Sequence, residues 1–231
     1  QKNYTEPTQT VPQIAPTALP ESTEVEPQPT SSETLPAEIR SQMDEIQQQV
    51  LEIRGKQMEK DLQRDLMTPE QLQDKVINDF FSDYTPEDAV KDAKILNALG
   101  LVEPGFDLRQ FYLDLYSEQV AGYYDNITKE MYVISDSSFG GMERMTYAHE
   151  FTHVLQDQNY DFENGLDYND AKCSADSEYC AAVQALIEGD ASLSEYTWFM
   201  KYGTEKDRQQ IIDFQNSYQS PVYDSAPAYM K

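Results

Sequence analysis

The stretch that decides the fold is MTYAHEFTHVLQDQ, residues 145–158. His149 and His153 are the only two histidines in the 231-residue chain, and Glu150 directly follows the first of them. Apolar residues at helical spacing, without an internal proline or glycine, predict an α-helix. Residues four apart lie on one face of a helix, one turn above each other. We therefore expect both imidazoles to reach a single metal ion.

The order of these residues is the H-E-x-x-H arrangement of zinc hydrolases, in which the glutamate, here Glu150, is the general base. A catalytic Zn²⁺ has three protein ligands and keeps a fourth position open for water. The chain has no third histidine, so the third ligand is predicted to be a carboxylate downstream of the motif. The candidates are Asp161, Glu163, Glu178, Glu188, Asp190 and Glu195.

Glu188 is the preferred third ligand because it interrupts the apolar run AAVQALIEGDA. A carboxylate among apolar residues is costly unless it meets a cation. Gly189 lowers helix propensity by about 1 kcal/mol relative to alanine, which is expected where another helix approaches closely. Asp157 and Asp190 are candidates for orienting an imidazole by hydrogen bonding from outside the ligand set.

The rest of the pattern predicts an α+β fold, mainly helical, with a small sheet or β-hairpin before the active-site helix. QVAGYYDNITKEMYVISDS alternates as two strands near 119–124 and 130–135, joined by the turn DNITK. Threonine N-caps followed by proline, at Thr68–Pro69 and Thr85–Pro86, indicate two helix starts. The predicted helices are AEIRSQMDEIQQQVLEIRG, MTPEQLQDKVINDFF, YTPEDAVKDAKILNALG, FDLRQFYLDLYSEQ, the motif helix from about Met142, AAVQALIEGDASLSEYTWFMKYG and EKDRQQIIDFQNSY.

The chain is predicted to consist of an N-terminal linker and one folded domain. Residues 1–36 are rich in Pro, Thr, Glu, Ser and Gln, and such a composition predicts a disordered linker. Residues 37–231 are predicted to be one metallopeptidase domain, truncated at its C-terminus if the chain is a fragment. The helical part near 37–67 has two interpretations: a wall of the cleft, which we prefer, or a prosegment that covers it.

Composition restricts the partners. With 42 acidic and 17 basic residues, the net charge is −25, which argues against nucleic acid and disfavours an anionic membrane surface. No run of 18 apolar residues is present, so no segment is predicted to span a membrane, and an anchor, if any, is expected upstream. Cys173 and Cys180 are predicted to form a disulfide, which indicates an extracytoplasmic, secreted or surface-anchored protein.

The motif HEFTH, followed by a glutamate on a later helix, resembles the gluzincins, the thermolysin-like branch of the zincin metallopeptidases. The segments SEQVAGYYDNITKEMYVIS, YAHEFTHVLQDQNYDF and ALIEGDA more closely resemble a group of bacterial extracytoplasmic metallopeptidase-like proteins. The resemblance runs from about Thr68 to the end of the chain, and it is most specific at the metal motif.

The resemblance implies His149, His153 and Glu188 as zinc ligands and Glu150 as the base. It also implies that an edge strand, in AGYYD or EMYVIS, pairs with an extended peptide or protein substrate. The interval from His153 to Glu188 is longer than in thermolysin, with the cysteine segment between them. Similar bacterial sequences continue beyond SAPAYMK, so the chain is expected to be a fragment or a processed form.

These features predict a zinc-dependent metalloendopeptidase in which Glu150 activates a zinc-bound water. Stabilisation of the oxyanion requires a further donor, and the tyrosines considered are Tyr147, Tyr196, Tyr223 and Tyr229. Two alternatives stay open at this point. One is a zinc-binding module for binding or assembly, and the other is a latent protease without activity in this form.

Overall fold

The computed structural model describes residues 35–75, 77, 81, 84–135 and 138–231. The predicted linker therefore lies outside the described residues, apart from Leu35 and Pro36 at its end. Leu35 is 4% exposed and packs in the main core. The described residues belong to a single compact unit, Ser32–Lys231. None of their helices has the length and apolar character that crossing a membrane requires.

The fold is α+β and mainly helical, as predicted, with one three-stranded sheet. The first half of the chain contains α1 (Ala37–Arg54), β1 (Gln63–Met67), α2 (Pro69–Lys75), α3 (Pro86–Ala98), α4 (Leu108–Gln119), β2 (Gly122–Asp125) and β3 (Glu130–Ile134). The second half contains α5 (Gly141–Tyr160), α6 (Asp170–Ala175), α7 (Ser177–Tyr202), α8 (Glu205–Ser217), α9 (Pro221–Ser225) and the 3-10 turn Ala228–Met230.

Helix caps appear where the sequence indicated them. At the start of α2, Gln71 Oε1 accepts from the backbone N–H of Thr68, and the Thr68 hydroxyl accepts from the N–H of Gln71. At α3 the Thr85 hydroxyl accepts from the N–H of Asp88. These bonds satisfy amide groups that have no partner inside the helix.

The sheet has the order β1-β3-β2 and contains one strand that the sequence analysis missed. β2 and β3 form the predicted antiparallel hairpin, although β2 begins at Gly122 because 119 still belongs to α4. β1 pairs in parallel with β3, and its five residues fall in the segment interpreted above as helical. Because β1 pairs with β3, β3 is the central strand of this sheet and β2 lies at one edge.

The main core surrounds α5. Four residues of α1, spaced as an amphipathic helix predicts, are buried against it: Ile39, Met43, Ile46 and Val50. Trp198 of α7 is fully buried in the same cluster. The segment 37–67 therefore supplies a core helix and a strand of the sheet.

The two cysteines lie on two consecutive helices. Cys173 is on α6, which the sequence analysis missed, and Cys180 is in the first turns of α7. The predicted disulfide Cys173–Cys180 is present and joins them. A disulfide is consistent with an extracytoplasmic location.

Candidate metal centre

Helix α5 carries both histidines through the middle of the domain. It is covered by α1, α7, α8, β2 and β3. At the start of the helix, Glu143 accepts a hydrogen bond from the N–H of Gly140. At its end, the C-cap residue Asp161 adopts the left-handed conformation (φ 49°). Packing against these five elements fixes the direction in which its side chains project, as a metal site requires.

Three side chains converge on one point. His149 Nε2 lies 3.2 Å from Glu188 Oε2 and 3.1 Å from His153 Nε2. His153 Nε2 lies 3.5 Å from the same oxygen of Glu188. Imidazole nitrogen and carboxylate oxygen bind a metal at about 2.0–2.1 Å, and tetrahedral geometry then places ligand atoms about 3.4 Å apart. The donor types and their separations fit, so His149, His153 and Glu188 could hold a metal ion.

Each imidazole has a hydrogen-bond acceptor at its other nitrogen. His149 Nδ1 lies 3.1 Å from Glu195 Oε2, and His153 Nδ1 lies 2.9 Å from Gln156 Oε1. A carboxylate or amide oxygen only accepts, so each Nδ1 carries the proton. The remaining ring nitrogen, Nε2, is the one that faces Glu188 in both residues. Both rings thus present the nitrogen that a metal ligand uses.

Electrostatics at this point favour a cation. Burial by itself lowers the pKa of His149, but the hydrogen bond to Glu195 and the charges of Glu150, Glu195 and Glu188 together raise it above its ordinary value. The pKa of Glu188 is lowered, chiefly by its hydrogen bond with His153. A proton on an imidazole and a metal ion therefore compete for the same site.

Glu150 lies beside this centre and is 8% exposed. Desolvation raises the pKa of Glu150, whereas the two histidines, and to a smaller degree the nearby backbone of Tyr124 in β2, lower it. A buried carboxyl group whose pKa is raised above its ordinary value is a better proton acceptor than an exposed one.

A cleft of about 450 Å³ opens over the centre. Its floor is formed by the two histidines, Glu150, Glu188 and Glu195, and its wall is residues 119–124. The wall approaches α5 closely at Gly122, where an added Cβ would lie 2.6 Å from Thr146 Cγ2 and 2.9 Å from the Tyr132 carbonyl oxygen. The absence of a side chain at Gly122 therefore lets β2 lie against the motif helix.

The other predicted carboxylates have different surroundings. Asp157 is 3% exposed at its side chain, and its oxygens accept from the Tyr124 hydroxyl, Lys129 Nζ and the backbone N–H of Phe162. Asp190 binds Gln156 and Arg54. Of the third-ligand candidates, Glu188 is the one in the converging group, whereas Glu195 contacts the far side of a ring.

The four tyrosines considered for oxyanion stabilisation do not line the cleft. Tyr147 is fully buried, and its hydroxyl accepts from Arg64 and Gln47. Tyr196 is 61% exposed on α7. Tyr223 and Tyr229 lie near the C-terminal end, in α9 and the 3-10 turn. Among the described residues that line the cleft, the tyrosines are Tyr123 and Tyr124.

Two arguments used to select Glu188 are wrong. The run AAVQALIEGDA is not a buried apolar environment, since Leu186 is 71% exposed and Glu188 itself is 51% exposed at its side chain. No atom lies within 4 Å of an added Cβ at Gly189, so no helix approaches there. Within this run, the buried residues are Ile187 and Ala191. Glu188 belongs to the group because α7 passes beside α5, and not because it is surrounded by apolar residues.

Gln156, Arg54 and the orienting role of Glu195 were missed. Gln156 follows His153 by three residues, a spacing that shares a helix face and could have been noticed. Arg54 gives no such signal, because 136 positions separate it from Asp190 in the sequence.

Comparisons of the chain with protein-family models, with curated proteins and with solved structures found no match. What the chain does is therefore argued from the side chains of this site. The arrangement contains three convergent metal-binding side chains, an adjacent buried carboxyl group and an open cleft bordered by a strand.

Proposed function

We propose that the chain is a zinc-dependent metalloendopeptidase domain of the gluzincin type. The observation that carries the proposal is the convergence of His149 Nε2, His153 Nε2 and Glu188 Oε2 within 3.1–3.5 Å, beside Glu150. Two imidazoles and one carboxylate form a ligand set that suits Zn²⁺ in a catalytic site. A purely structural site has no need for a buried general base next to it.

A bound zinc ion would supply Lewis acidity, polarising a peptide carbonyl and lowering the pKa of a water. Glu150 would accept the proton of the attacking water and deliver it to the leaving amine. Burial keeps the pKa of Glu150 above its ordinary value. Glu195 and Gln156 hold the two rings with Nε2 toward the centre.

The edge strand β2 would bind the substrate. β3 is the central strand of the described sheet, so EMYVIS has neighbours on both sides and AGYYD is the segment with an open edge. The same segment forms the wall of the cleft. An extended peptide can add to such an edge through main-chain hydrogen bonds, which place a peptide bond over the histidines whatever its side chains.

The experiment that tests this function begins with zinc content. We expect about one zinc per chain, measured by elemental mass spectrometry, and a sharp reduction in Glu188→Ala. Glu178→Ala is the matched control, because Glu178 is an exposed carboxylate on the same helix. Equal zinc content in the parent chain and both variants would show that Glu188 is not the third ligand. If the parent chain binds no zinc even after zinc is added, the proposal is refuted.

Hydrolysis is tested with Glu150→Gln on an unstructured protein or a fluorogenic peptide library. We expect the variant to keep its zinc and to lose about 10²- to 10⁴-fold in rate, the usual contribution of a general base. A variant that hydrolyses as fast as the parent chain would show that Glu150 is not the base.

A second function, a zinc-stabilised module for binding or assembly, is favoured by one observation. The outer face of α7 exposes four large apolar side chains at helical spacing: Leu186, Leu193, Tyr196 and Met200. Contiguous apolar surface of this kind marks interaction sites. In that case Glu150→Gln would leave function unchanged, whereas Leu193→Glu would abolish association.

The proposed setting follows from the disulfide and the composition. We place the protein outside the cytoplasm, secreted or anchored at the cell surface, because disulfides persist in oxidising compartments. The strong negative charge is against nucleic acid as a partner. The substrate is accordingly a peptide or protein.

A further inference from the structure

The two histidines of the metal centre are held in different ways. His149 is held by one residue, since Glu195 contacts its Nδ1 directly. His153 is held through an amide, because its Nδ1 faces Oε1 of Gln156, which is 4% exposed. An amide can present either an oxygen or a nitrogen, so something must fix which one faces the ring.

Two acceptors fix the orientation of the Gln156 amide. Its Nε2 donates to the carbonyl oxygen of Ile187 at 3.0 Å and to Asp190 Oδ2 at 2.8 Å. These bonds use both N–H groups, and both acceptors lie on α7. If the amide were reversed, its oxygen would face two acceptors and its nitrogen would face the ring. The observed orientation makes His153 a donor at Nδ1 and leaves its Nε2 for the centre.

Asp190 is in turn fixed by Arg54, the last residue of α1. The guanidinium donates twice, with Nη1 at 2.7 Å from Oδ1 and Nη2 at 2.5 Å from Oδ2. Bidentate pairs of this kind are directional and strong among hydrogen bonds. The pair is partly covered, with 22% and 32% of the side chains exposed.

The end of α1 is itself well placed. Gly55, at φ 58°, terminates the helix, and its N–H donates to the carbonyl of Glu52. Buried residues at 39, 43, 46 and 50 fix the helix against α5. Arg54 therefore stands on a rigid element, and a contiguous chain of contacts leads from it to the ring of a metal ligand.

We propose that Arg54, Asp190 and Gln156 are positioning residues that fix the tautomer and orientation of His153, which makes α1 part of the metal centre. The inference rests on the metal site proposed above and extends it to a helix more than 90 positions earlier in the sequence. It also assigns the segment 37–67 to the working domain, since removal of this segment would remove Arg54.

The first test compares metal affinity in two matched variants. Arg54→Met breaks the pair with Asp190, and Lys201→Met breaks the other α1–α7 ion pair, Lys201–Glu52, which has no contact with the histidines. Zinc affinity is measured by competition with a chromophoric chelator. We expect Kd to rise about 10-fold or more in Arg54→Met, as for other residues that orient metal ligands, and to change less than about twofold in Lys201→Met. Arg54→Lys should restore part of the loss.

Equal values of Kd in the two methionine variants would overturn the proposal. If Arg54→Met does not fold, as judged by circular dichroism, Asp190→Asn replaces it, because this change keeps the shape and removes the charge that Arg54 binds. The same rise in Kd is expected there, and an unchanged Kd would be equally damaging.

The second test needs no metal, so it separates this proposal from the proposed function. The chain contains only two histidines, so ¹⁵N-histidine labelling gives two rings to assign. Measured in chelator at a pH where His153 is neutral, its proton should reside on Nδ1 in the parent chain and in Lys201→Met. We expect a mixture with Nε2–H in Arg54→Met. If the proton of His153 resides on Nε2 in the parent chain, the proposed positioning role of Arg54, Asp190 and Gln156 is refuted, whether or not the protein hydrolyses peptides.

Discussion

Two helices, α5 and α7, carry the side chains of the candidate metal centre, and the helix with the smaller apolar content is the more deeply buried of the two. α5 has 20 residues, of which 11 are buried, and five of these are polar or charged: Glu150, Thr152, His153, Gln156 and Asp157. α7 has 26 residues and contains long apolar runs, yet only five of its 26 residues are buried. The polar helix is therefore the core helix, and the apolar helix covers it from one side.

The difference comes from the number of neighbours and from hydrogen bonding. α5 is surrounded by three helices and two strands, whereas α7 packs mainly on α5, α1 and the short α6. Buried polar side chains of α5 have partners, as with Thr152, which donates to the carbonyl of Ala148 and lies 2.9 Å from Ser194 Oγ. Burial of a polar group is tolerated when its hydrogen bonds are made. Apolar content alone therefore does not determine which helix is central.

The largest effect is expected from breaking a buried polar group of α5. Asp157→Ala leaves Tyr124, Lys129 and the N–H of Phe162 without their acceptor. We expect a loss of about 3 kcal/mol in the free energy of unfolding, measured by urea titration in chelator. Asp213→Ala, at an exposed carboxylate of α8, should cost less than about 0.5 kcal/mol. Similar losses in both variants would contradict the special position of α5.

Neighbouring residues on α7 sharpen the comparison. Ile187 is 7% exposed and Leu186 is 71% exposed, although the two side chains have the same size. Ile187→Ala should lower the free energy of unfolding by about 2 to 3 kcal/mol, because it leaves a cavity. Leu186→Ala should change it by less than about 0.5 kcal/mol. If Leu186→Ala were the more damaging of the two, α7 would present its other face to the core.

The two glycines beside the centre should respond with opposite signs. Gly122→Ala forces a Cβ against the Tyr132 carbonyl and Thr146, so we expect about 1 to 2 kcal/mol of destabilisation and displacement of β2 from α5. Gly189→Ala meets open space in a helix and should stabilise by about 0.5 to 1 kcal/mol. Thermal unfolding of both variants in chelator checks the signs, and stabilisation by Gly122→Ala would contradict the close approach.

The smallest expected effect concerns pH. The pKa of His149 is raised in the fold, so its protonated form stabilises the metal-free protein. This contribution is fully present below the ordinary value of 6.5 and is lost as the pH rises through the raised pKa of the folded state. The Tm difference between the chain and His149→Gln in chelator should therefore be larger at about pH 6 than at about pH 9. A difference that grows with pH would show the opposite shift.

Local signals predicted much of the fold because their causes are local. The caps at Thr68 and Thr85, the hairpin and the motif helix depend on residues a few positions apart. β1 was missed because its only described partner is β3, more than 60 positions away, and five residues give a weak periodic signal. α6 was missed for a similar reason, since its six residues lie between polar segments.

For the site, the sequence by itself determined the donors: two histidines one helical turn apart, a glutamate between them and carboxylates downstream. Only the tertiary structure decided which carboxylate completes the group and which residues orient the rings. Those choices depend on how α7 and the end of α1 pass beside α5, and such contacts join residues up to 150 positions apart. A helix fixes the relative direction of its own side chains, whereas the approach of a second helix is set by the packing of the whole core.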